Sequence, residues 1–454
     1  LAGLSAAVRL AQLGQRVTLI EARKRLGGRA TSFTHASTGD ELDNCQHVVM
    51  KCCSSLLDLY RRLGVDGQIH WHQRFYFVDA RGQLDEMVAT DLPAPFHLTA
   101  SLLGFKSLSL REKLAIAWGM RGIMKSRRED WADRTFEQWL ATWRQPARVI
   151  EKFWRPVVVS AINETPSRMS AAAALQVFQQ GFLSHEQACW MGLSAVPLAR
   201  LYDQAIAIIT AAGGQVRMNT RASALRYEEG RIAGVELDSG EVLPADAYLS
   251  AVPFDRLSQI APSELVAADS RLQHLQEFET SPIIGIHLWV DAGQETAAFD
   301  WPHVSFMQSP LHWVFNKGVD PQTGLQHLHG VISAAGDLLD YSASRLAHLA
   351  MEELQAVFPT MREARLAEHM VVKEKQATFS ARPGLDAIRP GCRGATRNLY
   401  LAGDWCHSGW PATMEGAVRS GYLAAAAILE DAGMALTEPA IPADLPESFA
   451  YRLL

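Results

Sequence analysis

Leu1-Ala2-Gly3-Leu4-Ser5-Ala6-Ala7 opens the chain, Arg16-Val17-Thr18-Leu19-Ile20-Glu21 follows it, and the relation between the two stretches decides the fold. Val8, Leu10, Ala11 and Leu13 continue the first stretch at helical spacing and Gly14 stops it, so a helix is already under way at the first residues. The second stretch is a short β-branched run that ends on an acid eighteen residues after Gly3. This is the separation expected between the last glycine of a GxGxxG turn and a carboxylate that accepts ribose hydroxyls. Gly3 would let the helix lie close to a sheet, while the free N–H groups at the helix start face a pyrophosphate. The first strand and the two earlier glycines of such a turn are expected upstream of Leu1. A helix followed by a strand ending in Glu also occurs in α/β proteins that bind no nucleotide, so the half-motif needs support from elsewhere.

The next residues supply some of it. Glu21-Ala22-Arg23-Lys24-Arg25-Leu26-Gly27-Gly28-Arg29-Ala30 sets paired glycines and arginines directly after the acid, which suits a second phosphate contact. In isolation the decapeptide reads equally as a surface turn with solvated arginines. At the far end, Asn398-Leu399-Tyr400-Leu401-Ala402-Gly403-Asp404 is an apolar strand ending in Gly-Asp, followed by a small-residue helix from about Ala412 to Glu430. Gly403 permits close backbone approach, and Asp404 can take a ribityl hydroxyl. The N–H groups near Thr413 and Met414 can face a flavin pyrimidine edge, where a helix dipole stabilises negative charge on the reduced ring. Gly416, Ser420, Gly421 and Ala424 flatten one face of that helix, which fits a cofactor or tight packing on a sheet. Together the segments predict FAD.

Other classes are disfavoured by composition. Lys and Arg total 43 against 49 Asp and Glu, a net charge of -6, without the basic excess that nucleic acid requires. Six cysteines, with no CxxC pair and no metal-ligand spacing, read as reduced thiols of a cytoplasmic protein, and no metal is expected. No apolar run reaches the roughly 18 residues of a membrane span.

Glu21 through Ser32, together with Leu401 through Tyr422, resembles the FAD-binding signature of the amine oxidase and phytoene desaturase superfamily. Asp43-Asn44-Cys45-Gln46-His47-Val48 and Gly409-Trp410-Pro411-Ala412-Thr413-Met414-Glu415-Gly416-Ala417-Val418-Arg419-Ser420-Gly421 are most similar to squalene-associated FAD-dependent desaturases, the hydroxysqualene dehydroxylases of hopanoid biosynthesis. Cys45 stands where that family is expected to have glycine. The resemblance implies an α/β fold: a Rossmann-like FAD-binding domain of the glutathione-reductase type with an interleaved α+β substrate domain. The expected divisions are 1–83, 200–265 and 385–435 for FAD, 84–199 and 266–384 for substrate, and a loosely held tail over 436–454. Gly3, Glu21, Arg23, Gly28, Arg29, Gly403, Asp404 and Met414 are expected to bind FAD. The resemblance adds the backbone near Ala222 for the adenine and Ala251-Val252 beside the cofactor. The residues themselves predict a hairpin about Glu229-Gly230-Arg231.

The implied reaction replaces the allylic hydroxyl of hydroxysqualene with hydride, giving squalene. It needs a proton donor and a pocket that shields an allylic cation. Asp43 and His47 are the candidates, because the resembling segment approaches the flavin; a structural carboxylate and a core histidine are the bland alternatives. A carotenoid or phytoene-type desaturase is the rival, a flavin amine oxidase is disfavoured by Thr413 at a position usually aromatic there, and a non-catalytic FAD-containing lipid carrier stays open. The partner expected is an isoprenoid lipid, with other hopanoid-pathway enzymes as companions. Pro93 to Lys125, where Phe96, Leu98, Leu102, Leu103 and Phe105 alternate with Lys106, Arg111 and Lys113, is expected to rest on a membrane surface at the inner face of the cell membrane, or else to form a buried helical hairpin.

Overall fold

The computed structural model describes residues 1–36, 39–293 and 297–453. In it the opening stretch forms the helix Ala2–Gln12, buried along most of its length, and the acid-terminated run forms the strand Thr18–Ile20. Small side chains make that burial feasible. Gly421, on the helix Met414–Asp431, lies so close to the Ala2 carbonyl and the Ser5 hydroxyl that a Cβ there would clash with both.

Two pairs of parallel strands pack on the opening helix. Thr18–Ile20 pairs with Gln215–Arg217, and Tyr248–Ser250 pairs with Leu399–Leu401. Leu19 and Val216 meet Ala7 and Ala11, whereas Leu249 meets Ala6 and Leu10, and Tyr400 meets Ala2. The cofactor half therefore draws strands from four separated stretches of sequence. The hairpin is present beside them: Ala222–Glu228 pairs with Arg231–Leu237, and Glu229 (φ 48°) and Gly230 (φ 79°) make the left-handed two-residue turn that hairpins favour.

A seven-stranded sheet forms the second body. Its order is Arg365–Phe379, Thr280–Asp291, Gln326–Ile332, Trp313–Val319, His303–Phe306, Arg74–Val78, Leu84–Val88. Along Thr280–Asp291, Ile284, Ile286, Leu288 and Val290 enter one core with Leu346, Ala350 and Leu354 of the helix Ala343–Val357. Period-two alternation therefore sends Gly285, His287 and Trp289 to the opposite face. The expected boundary at 83 runs through this sheet, because Arg74–Val78 pairs with Leu84–Val88 and with His303–Phe306. Phe75 and Phe77 pack into one core and Val78 into another, so the strand is buried on both sides and travels with the large sheet.

A helical insert covers the sheet's other end. Phe136, Trp139, Trp154 and Phe178 form its buried aromatic centre. The tail expected to hang loose is instead tied down. Buried Arg9 donates to the Pro439 and Ala440 carbonyls, Arg62 pairs with Glu438 at 2.8 Å, and Ser448 N donates to Ser184 O at 2.7 Å. A guanidinium that is 1% exposed needs acceptors, and the tail supplies them.

Candidate flavin site

The amino end of the opening helix lies within electrostatic reach of Arg29, Glu21 and Asp404, so residues far apart in sequence converge on one place. Glu21 Oε1 accepts from the Arg23 N–H at 2.9 Å, and Arg23 Nη1 donates to Gly28 O at 3.1 Å, closing the turn after the strand. Gly27 (φ 106°) and Gly28 (φ 63°) lie in the region that glycine favours, and a Cβ on Gly27 would meet the Tyr202 ring at 2.6 Å. A Cβ on Gly3 would meet that of Ala251 at 2.9 Å, which keeps the helix start against the end of Tyr248–Ser250. Ala22, Thr220 and Arg221 line a cavity of about 350 Å³ beside Glu21, and Ala222 follows it directly.

At the other end, the Asp404 carboxylate is matched to Arg29, whose Nη1 also donates to Ala377 O at 3.1 Å. Burial opposes the charge on Arg29, and Asp404 beside it more than restores it, so the guanidinium pKa lies above its ordinary value. Asp404, expected to take a ribityl hydroxyl, thus already has a partner in the chain. Arg389 Nη2 donates to Asp404 O at 2.9 Å and to Cys406 O at 2.6 Å, fixing the turn. Gly403 N donates to Ser420 Oγ at 2.8 Å, which joins strand end to helix. Thr413 caps that helix by accepting from Gly416 N at 3.0 Å, and Met414 is its first residue.

Asp43 and His47 occupy the adjoining turn, each with its own partners. Asp43 Oδ1 accepts from Ser32 Oγ at 2.8 Å and Leu198 N at 2.9 Å. His47 Nδ1 donates to Cys45 O at 3.0 Å, leaving Nε2 as the ring's available nitrogen, and burial pushes its pKa below the usual value. The backbone at Cys45 is outside the left-handed region, so a cysteine fits there, and burial pushes its thiol up to about 12. The close approach that a glycine would provide comes from Gly285 on the sheet, where a Cβ would stand 3.0 Å from Asn44 O and 3.1 Å from His329 Nε2.

Sequence reasoning missed the residues behind this turn. His287 Nε2 donates to Asp43 O at 3.0 Å, so its Nδ1 must accept from His327 Nε2, also at 3.0 Å. His329 stacks on His287 at 3.9 Å, buried and without a hydrogen-bond partner. The available signal was His327-Leu328-His329, two imidazoles on one strand face, opposite His287. Also missed was Glu415, which accepts from Ser55 N at 3.0 Å, Leu56 N at 2.7 Å and Arg419 Nε at 2.7 Å. It caps the helix Ser54–Arg62 from a neighbouring helix. Glu415→Ala is expected to cost about 2 to 3 kcal/mol by leaving two buried N–H groups unpaired, while Arg419 keeps Asp444 as its partner, and is read as a lower denaturant midpoint; an unchanged midpoint would refute the cap.

FAD fits this cradle. Gly28 has open space where a Cβ would stand, Ser250 Oγ is buried with no partner from the chain at the end of its strand, and Arg29, Glu21 and Asp404 gather at the helix start. Fold and site define a FAD-dependent oxidoreductase. The sequence pattern of the flavin containing amine oxidoreductases matches residues 1–429, and the chain belongs to that family. It is 28% identical over 453 residues to 15-cis-phytoene desaturase of an Oncidium hybrid cultivar, covering 95% of this chain and 76% of that one. It is 27% identical over 445 residues to hydroxysqualene dehydroxylase of Rhodopseudomonas palustris, covering 94% and 96%. A solved oxidoreductase from Methanosarcina mazei shares the fold with a TM-score of 0.71 at 16% identity, covering 95% and 98%. No helix among the described residues is long and apolar enough to cross a membrane.

Proposed function

We propose that the protein acts on an isoprenoid lipid and reductively dehydroxylates hydroxysqualene to squalene, with FAD held in a Rossmann-like cradle of the glutathione-reductase type. The observation that carries this reading is the group of imidazoles, His47, His287, His327 and His329, packed behind the turn that bears Asp43, next to the apolar cluster of Cys45, Phe315 and Val331 with Ile283 and Trp313. A leaving hydroxyl must receive a proton, whereas a wall for plain hydrocarbon needs no titratable group. FAD, bound and reduced, would supply a hydride to the allylic carbon, and the protonated hydroxyl would leave as water. The apolar side chains shield the carbon centre from water, and Asp43 and His47 are the proposed acid residues. The hydroxysqualene dehydroxylase of R. palustris, matched over 96% of its length, supports the assignment.

Desaturation of a phytoene-like hydrocarbon is the second reading, favoured by one observation. With Nδ1–H bound to Cys45 O and the pKa lowered by burial, neutral His47 offers Nε2 as a proton acceptor. The two readings predict opposite pH profiles. Anaerobically reduced enzyme with hydroxysqualene should form squalene with flavin reoxidation, at a rate that falls as pH rises through the pKa of His47, which lies below 6.5. A base role would make desaturation rise with pH over the same window. His47→Ala should lower dehydroxylation by about 100-fold or more, the usual contribution of a positioned acid. Unchanged substrate and flavin would sink the dehydroxylase reading, and turnover that survives both His47→Ala and Asp43→Asn would remove these residues as the acid.

A further inference from the structure

Eleven large apolar side chains are exposed among the described residues, and eight of them belong to two short segments. Leu92, Phe96, Leu103, Leu110, Leu114 and Trp118 come from the first, with Leu110 at 68% and Leu114 at 62% exposure; Phe449 and Leu453 come from the chain's last helix and its end. Leu110, Leu114 and Trp118 recur every four residues on the helix Leu110–Lys125 and form a ridge. The segments are joined. Ser448 Oγ donates to Ala94 O, Lys113 Nζ donates to Leu103 O at 2.6 Å, and Tyr451, Leu98 and Leu102 pack on the same core.

Charge follows the same surface. Between Leu92 and Asp130 stand seven Lys and Arg (Lys106, Arg111, Lys113, Arg121, Lys125, Arg127, Arg128) against three acids, Glu112, Glu129 and Asp130, in a chain whose net charge is -6, and Glu129 pairs with Arg127 at 4.0 Å. Glu112 is turned inward, accepting from Ser109 N and Oγ at 2.7 Å and paired with Arg148 at 3.0 Å, so it does not offset the cations outside. Beyond the ridge, Trp118, Trp131 and Trp143 line a recess of about 590 Å³ with three cations, Lys125, Arg127 and Arg144, and one acid, Asp130, around it.

We propose that this face, the ridge Leu110–Trp118 together with Phe96, Leu103 and the C-terminal Phe449–Leu453, docks on an anionic lipid bilayer. Exposed leucines and phenylalanines enter the acyl boundary, tryptophans sit at headgroup depth, and the cations meet anionic headgroups. A bilayer is favoured over a protein partner because the exposed apolar side chains form a ridge bordered by cations, which matches an acyl boundary beneath anionic headgroups, and a fluid bilayer conforms to its relief. The proposal deepens the isoprenoid reading by giving a water-insoluble substrate a route from the phase that dissolves it, and it is tested without turnover.

The holoenzyme is mixed with vesicles of phosphatidylcholine alone or with one third phosphatidylglycerol, and bound protein is measured by sedimentation. Binding to the anionic vesicles should exceed that to neutral ones by tenfold or more and should weaken in 0.5 M salt. Leu114→Glu with Trp118→Glu, and separately Phe449→Glu with Leu453→Glu, should each reduce binding at least tenfold, with flavin content unchanged as the check on folding. Equal binding to both vesicles, binding that survives both pairs of substitutions, or a stable dimer in solution that these substitutions dissociate would overturn it. Loss of hydroxysqualene turnover with vesicle binding intact would refute the substrate reading and leave the docking face standing.

Discussion

Between pH 7 and pH 4.5 the folded protein is expected to lose about 5 kcal/mol of stability through two histidines alone. His287 is 1% exposed and His303 is fully buried; burial pushes each pKa down to about 4. The unfolded chain takes up a proton at each site below about pH 6.5, and the folded chain does not until near pH 4. Protons therefore favour the unfolded state throughout this window. Stability is complete above pH 6.5 and drains away as pH falls toward 4, at about 2.5 kcal/mol per histidine by pH 4.5. His327, lowered to about 3, and His329, held well below its usual value, act in the same direction. Since whole domains are stable by only about 5 to 15 kcal/mol, acid unfolding near pH 4.5 is the expected result. Urea titrations at both pH values measure it, and His303→Phe should narrow the gap by about half of the two-histidine value. Equal midpoints at the two pH values would contradict the neutral, buried state of these rings.

Removing the Arg29 guanidinium is expected to empty the cofactor site. Asp404 is 7% exposed at its side chain, and Arg29 is the cation beside it. Arg29→Met leaves a carboxylate buried without its partner, at a cost of about 3 kcal/mol, and releases the Ala377 carbonyl that spans to the sheet. The purified variant should carry less than a tenth of the wild-type flavin, read from the ratio of visible to ultraviolet absorbance. Adding Asp404→Asn removes the stranded charge and should restore most of the stability without restoring flavin. Full flavin in Arg29→Met would show that the pair braces the turn without contributing to the cofactor.

The sequence made the local elements of the cofactor half legible because each carries its own punctuation. Gly14 ends a helix, Glu21 ends a strand, and Glu229-Gly230 can only be a tight turn. Arg29 and Asp404, 375 residues apart, could be suspected separately, yet nothing local says that they pair. The same holds for Glu415, whose carboxylate reads as an ordinary helical surface residue until the helix Ser54–Arg62 is packed against it. The tail looked mobile because three prolines (Pro439, Pro442, Pro446) interrupt it, and the reason it is held, the buried charge of Arg9, lies far away in sequence. The histidine face was hidden for another reason. Alternation along Thr280–Asp291 is disguised by a run that is apolar on one side and aromatic on the other, so burial on both faces erased the period.

The four-stretch origin of the cofactor half also sets a timetable for biosynthesis. The helix Ala2–Gln12 finds its packing partner in Met414–Asp431, about 400 residues later. At ordinary synthesis rates the interval is roughly 20 to 80 s, during which this helix leaves the ribosome with its small-residue faces unpaired. A chain stalled or cut before residue 399 would hold a strand, Tyr248–Ser250, without its neighbour and a nucleotide turn without its Gly-Asp counterpart. Quality control therefore has a simple criterion: no flavin can be captured until the segment from Leu399 to Asp431 has emerged.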